Sequence, residues 1–173
     1  MSQVASTSQK DFDTWNSLKK DIQARDNVLY YKTREVWFCS LGANVGFEQD
    51  GKNASFERPV LVVKKFNKQV FWAVPLATKT KPENKHYIPY RHGDRQYAAI
   101  VSQLRLIDSK RLTRKFFLLN EPAYEYIRQS ILTELNENKT DSAKQSPRSP
   151  KAIVPTCIAD KGGDVKGLEE AHG

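Results

Sequence analysis

The chain has 173 residues, and its hydrophobic fraction of 39% is low for a packed domain of that length, which points to one domain plus chain outside any core. The net charge of +8 sits in residues 1–136, because residues 137–173 carry six basic and six acidic side chains and leave 22 against 14 for the rest. A basic domain beside a neutral tail points to a polyanionic partner; a solvated, lysine-rich surface is the other reading. No apolar run approaches the ~20 residues that span a bilayer, and MSQVASTSQKDFD lacks the apolar segment of a signal peptide. Cys39 and Cys157 have no CxxC spacing, and a single pair so far apart is poor evidence for a disulfide framework. A soluble, cytosolic chain without metal or cofactor is expected.

Residues 1–9 are small and polar and read as disordered. Over 11–24, Phe12, Trp15, Leu18 and Ile22 recur at spacings of three and four, the period of a helix that packs its Phe/Trp face on the domain. Asp11 and Asp13 suit its first turn, where the helix dipole is positive. Residues 34–41 (REVWFCSL) read as a strand. Residues 42–56 form a polar loop of about 15 residues, longer than most connections, with Gly46 and Gly51 able to take unusual backbone angles. Two strands follow, 59–66 (PVLVVKKF) and 69–76, joined by a tight turn at Asn67-Lys68. The unbroken apolar stretch 60–63 predicts burial on both faces. This hairpin brings Arg58, just before its first strand, and Thr78, just after its second, to one edge of a small sheet.

Residues 79–84 are a basic, proline-containing loop. Residues 86–90 (HYIPY) suit a short edge strand, since Pro89 cannot donate to a ladder. Gly93-Asp94 marks a turn. Residues 97–104 read as a central strand broken near Ser102-Gln103, 108–112 as a helical turn, and 115–119 as a last strand. Residues 122–135 read as a helix with Pro122 at its first position and an apolar stripe of Tyr124, Ile127, Ile131, Leu132 and Leu135. Beyond Asn136 no periodicity remains. Five or six short strands with a helix at each end predict a mostly β (α+β) fold, a strongly bent sheet or part-open barrel. The expected layout is a disordered 1–9, a single domain over 10–136 and a flexible tail over 137–173.

No nucleophilic triad, P-loop, dinucleotide fingerprint or glycosidase carboxylate pair is present. What remains is an arginine, hydroxyls, a glutamine and lysines near aromatic residues, a set suited to a phosphodiester. Arginine offers a planar fork to phosphate oxygens and lysines screen backbone charge. Phe47, Tyr87, Tyr90 and Trp72 are candidates for stacking on unpaired bases.

Four ordered blocks, REVWFCSLGANVGFEQDGK, ERPVLVVKKFN, WAVPLATK and AIVSQLRLIDSKRL, resemble the PemK/MazF family of endoribonuclease toxins of toxin–antitoxin pairs. The likeness runs from about Arg34 to Phe117, with an unusually long loop between Glu48-Gln49 and Arg58. It implies an SH3-like barrel of the CcdB/PemK type, a homodimer, a cognate protein antitoxin, and metal-independent, sequence-selective cleavage of single-stranded RNA. In that chemistry the 2′-hydroxyl attacks phosphorus and leaves a 2′,3′-cyclic phosphate and a 5′-hydroxyl. The resemblance gives Arg58 phosphate stabilisation, Thr78 the hydroxyl role beside Ala77, and Glu48 the place of the carboxylate. It offers Phe47, Gln49, Lys79, Lys81 and Gln103 as RNA contacts, while Arg105 and Asp108 organise a turn. Ala77 stands where relatives carry a threonine, and Ser102 where many carry an acid. Two other functions therefore stay open: a non-catalytic relative that binds RNA, DNA or antitoxin, and a β-barrel adaptor for proteins. Thr78 can replace the missing hydroxyl only if the backbone bends there, because neighbours on a strand face opposite ways.

Overall fold

The computed structural model describes residues 10–26, 29–79, 81 and 83–137. The expectations for 1–9 and for the tail beyond 137, Cys157 included, lie outside the described residues. Helix α1 spans Phe12–Gln23, and Asp11 caps it by accepting from the Thr14 amide at 2.9 Å. Trp15 and Ile22 are buried against Ala43, with Leu18 and Phe56 alongside. Phe12, expected on this packed face, is instead 49% exposed, since that small cluster offers too little surface for a further side chain.

Among the described residues seven strands follow, one or two more than the sequence predicts. They are β1 (Glu35–Ser40), β2 (Glu57–Lys65), β3 (Val70–Ala77), β4 (Tyr87–His92), β5 (Arg95–Ile100), β6 (Arg105–Asp108) and β7 (Leu112–Leu118). All pairings are antiparallel in the order β4-β5-β3-β2-β1-β7. One side of β3 is shared: its first half pairs with β6 and its end, Leu76 and Ala77, with β5. A short 3-10 helix, Val101–Gln103, turns the chain between those two partners. The sheet therefore bends without closing, as expected of a part-open barrel, with β4 and β7 at its ends. Asn67 holds the β2–β3 turn by accepting from the amides of Gln69 and Val70 at 2.8 and 2.9 Å.

Strand β2 is buried on both faces, as its apolar run predicts. Leu61 and Val63 join Val36, Val74, Leu76 and Tyr97 in one cluster, and Val60 and Val62 join Trp37, Cys39, Phe71 and Ile107 in another. Helix α2 (Glu121–Glu137) covers the first cluster with Ile127 and Ile131. Each such side chain contributes about 1.5–3 kcal/mol on burial. The Tyr124 hydroxyl also donates to the Val63 carbonyl at 2.8 Å. Leu132 and Leu135, expected in the apolar stripe, are exposed, because α2 meets the sheet through the narrower line of Ile127 and Ile131. Pro122 is the second helical residue, after Glu121. Burial pushes the Cys39 thiol up to about 12, so it is an inert core residue.

Glu35 is the buried acid among the described residues, at 6% exposure. It accepts from the Lys32 amide at 2.9 Å, Trp37 Nε1 at 2.9 Å and Lys115 Nζ at 2.6 Å. Burial alone would raise its pKa; the bonds from Lys115, Lys32 and Trp37 outweigh burial and hold it below the ordinary value. A depressed folded-state pKa gives stability that is present above the unfolded value and lost as pH falls through the folded one. Glu35→Ala is expected to cost about 2 kcal/mol near neutral pH, by stranding three donors. Urea titrations should show that difference shrinking as the pH falls below the ordinary glutamate range, about 4.3.

Candidate functional site

The β2–β3 register pairs Val60 with Pro75. Counting two residues outward on each strand sets Arg58 opposite Ala77, where β3 ends and the chain bends at Thr78. That bend meets the condition stated above: Ala77 and Thr78 line the same cavity as Arg58, about 320 Å³ in volume. Lys52, Lys79 and Arg95 add three further cations to the lining, against one acid, Glu57. Phe38, Pro59, Leu76, Tyr97 and Phe116 form the apolar wall. Among the described residues the lining thus sets four cations against one carboxylate in a partly apolar hollow, a charge balance that favours anions.

Two backbone carbonyls aim Arg58. Its Nε donates to the Asp50 carbonyl at 2.6 Å and its Nη1 to the Leu76 carbonyl at 3.4 Å. Among the described residues nothing accepts from Nη2. Burial lowers the Arg58 pKa from its ordinary value, yet the guanidinium stays protonated. Glu57 does not neutralise it. Burial alone would raise the Glu57 carboxyl; bonds with Thr113, Arg114 and Asn53, with the Arg114 charge, hold it below its ordinary value. Arg114 Nη1 lies 2.8 Å from its Oε2.

The residues read from the sequence fall into two groups. Arg58, Thr78 and Lys79 share the cavity. Tyr87 lies within electrostatic reach of Arg58, and Lys81 Nζ sits 5.1 Å from the centre of the Tyr87 ring. Phe47, Glu48, Gln49 and Gln103 stand apart from it. Glu48 lines a neighbouring groove with Ser102, Gln103, Leu104 and Arg105, not the hollow around Arg58. Gln103 accepts from the Gln49 amide at 3.1 Å and donates to the Phe47 carbonyl at 3.3 Å, so its amide is occupied in holding the loop. Phe47 is fully exposed.

Of the stacking candidates, Tyr90 is buried at 6% exposure and stacks on Tyr97, so no base reaches it. Trp72 lies toward the far end of β3, edge-on to Phe66, and lines no part of the cavity. Asp108 organises a turn as expected, its carboxylate accepting from the Lys110 amide at 2.9 Å. Lys52 and Arg95 carry no local sequence signal. The loop's return bridge at Lys52–Glu57 and the β4–β5 hairpin bring them to the cavity.

Three comparisons place this geometry among known proteins. The sequence model of the PemK-like, MazF-like toxins of type II toxin–antitoxin systems matches residues 32–135. No curated protein sequence matches. The crystal structure of MazF (Form-I) from Deinococcus radiodurans is similar with a TM-score of 0.51 at 15% identity, over 62% of this chain and 97% of that one. An endoribonuclease in complex with its cognate antitoxin from a mycobacterial species gives 0.48 at 16%, over 61% and 95%. The Mycobacterium tuberculosis toxin MazF-mt6 gives 0.45 at 13%, over 59% and 96%. The first of these supports the fold.

Proposed function

The chain belongs to the PemK-like, MazF-like toxin family of type II toxin–antitoxin systems, and from that premise we propose that it is an endoribonuclease that cleaves single-stranded RNA. One observation carries the reading: Arg58, Thr78, Lys79 and Arg95 converge on a cavity that, among the described residues, has one carboxylate, already paired. The 2′-oxygen gives its proton to solvent water and bonds to phosphorus, the P–O5′ bond breaks, and the 5′-oxygen takes a proton from water as it leaves. The products are a 2′,3′-cyclic phosphate and a 5′-hydroxyl. Arg58 stabilises the negative phosphorane through its free edge, with Lys79 and Arg95 beside it. Thr78 supplies a hydroxyl to the same oxygens. Glu48 is left out of the reacting set because it lines the neighbouring groove, and Glu57 is a weak base because Arg114 and Thr113 hold it ionised. Charge stabilisation is therefore the main source of catalysis, and relief of the toxin comes from an antitoxin whose acidic segment covers these cations. The working form is proposed to be a homodimer.

Incubating the protein with single-stranded RNA in EDTA and mapping the ends tests the proposal. Specific cuts ending in cyclic phosphate are expected. RNA binding without cuts would select the non-catalytic reading, and neither binding nor cuts the adaptor. The Ala77–Thr78 pair gives a second test. Thr78→Val is expected to slow cleavage about tenfold, and Ala77→Thr to raise it by a similar factor, a change of about 1.4 kcal/mol in the barrier. Single-turnover rates on one oligonucleotide read both.

A further inference from the structure

We infer that Lys10, in the segment leading into α1, is a positioning residue for Arg58 that acts through the loop of residues 42–51. The catalytic consequence rests on the endoribonuclease reading above; the positioning rests on geometry alone. The Lys10 ammonium spends its donors on this loop. Nζ donates to the Asn44 carbonyl at 2.5 Å and the Gly46 carbonyl at 3.0 Å, and lies 2.9 Å from Asp50 Oδ2. The other Asp50 oxygen, Oδ1, accepts from the Asn44 amide at 2.6 Å, and the Asn44 side chain donates to the Gln49 carbonyl at 2.9 Å. Both ends of the loop are thus tied to one another and to Lys10. The carbonyl of the same Asp50 receives Arg58 Nε at 2.6 Å. Lys10 therefore fixes the residue that fixes Arg58.

Helix α1 holds Lys10 in place. Trp15 packs so closely on Gly42 that an added Cβ would lie 2.2 Å from its ring, and Arg111 covers that ring at 5.3 Å while donating to the Ser40 carbonyl at 3.1 Å. Both α1 and Lys10 lie outside the matched residues 32–135. The brace is thus built from residues beyond the span that the family model matches, and it ties down residues 44–50 of the loop. Lys10 and Asp50 are 26% and 34% exposed, so their attraction adds little to global stability. Its effect is on where the Asp50 carbonyl sits, and small displacements of positioning groups cost large factors in rate.

The test compares Lys10→Met and Lys10→Arg with the unaltered chain. In Lys10→Met, hydrogen exchange of the Arg58 Nε–H, followed by nitrogen-15 NMR, is expected to accelerate at least about fivefold. In the same variant kcat on an RNA oligonucleotide should fall about tenfold with KM within about twofold, and Tm should move by less than about 3 °C. Lys10→Arg should restore both exchange and kcat. Unchanged exchange in Lys10→Met overturns the inference, and so does faster exchange with an unchanged kcat. If the unaltered chain cleaves no RNA, the endoribonuclease reading falls, and the Nε–H exchange alone decides the positioning role.

Discussion

Arg58→Ala is expected to lower the rate of RNA cleavage at least about 10²–10³-fold, the loss seen when one preorganised donor to a developing oxyanion is removed. Lys79 is exposed on a flexible four-carbon stem, whereas Arg58 is pinned at two nitrogens to the Asp50 and Leu76 carbonyls. A donor that need not reorganise at the transition state contributes more than a mobile one of equal charge. Arg58→Lys should recover little of the loss: an ammonium keeps the charge but cannot satisfy both carbonyls and still present a planar edge. The Ala variant should stay folded, losing about 1–2 kcal/mol as water reaches the stranded carbonyls. Single-turnover cleavage, RNA binding and thermal melting on the same preparations separate these effects. Wild-type cleavage by Arg58→Ala would remove Arg58 from the chemistry and the proposal with it.

What can be read from the sequence is whatever a short period or a single backbone constraint decides. Val60 to Val63 announce a strand buried on both faces, Asn67-Lys68 a turn, and Pro89 an edge; the structure has each. Strand β6 escapes because Arg105–Asp108 is only four residues long and exists by pairing with β3 while it buries Ile107. Tyr90 misleads although the alternation in YIPYRH places it with Ile88 on the buried face; its hydroxyl makes it look like a surface ring. Glu48 and Arg58 are near in sequence, but the loop path between them depends on Lys10 and Gln103, which lie far away along the chain. The cavity's extra cations, Lys52 and Arg95, are hidden for the same reason: their place is a product of topology, and no local pattern records it.

Gly51→Ala is expected to destabilise the domain by about 3 kcal/mol or more and to cost most of the cleavage activity, while Gly46→Ala costs about 1 kcal/mol and leaves cleavage nearly unchanged. The sequence suggests one reason for both glycines, an unusual backbone angle. The structure assigns that reason to Gly46, at φ +55, where an added Cβ would meet nothing within 4 Å. Gly51 has no positive φ; its need is space, since a Cβ would stand 1.6 Å from the Phe56 carbonyl oxygen. That oxygen cannot retreat cheaply, because it accepts from the Leu41 and Gly42 amides at 2.9 and 3.4 Å. Gly51 itself donates to the Gly42 carbonyl at 2.8 Å. Moving either strand of this crossing shifts the adjoining Asp50, whose carbonyl holds Arg58. Stability and rate should therefore fall together in Gly51→Ala, whereas Gly46→Ala should lower stability alone. Urea denaturation paired with single-turnover kinetics reads both. Equal effects for the two glycines would mean that the loop's crossing point does not govern the cavity.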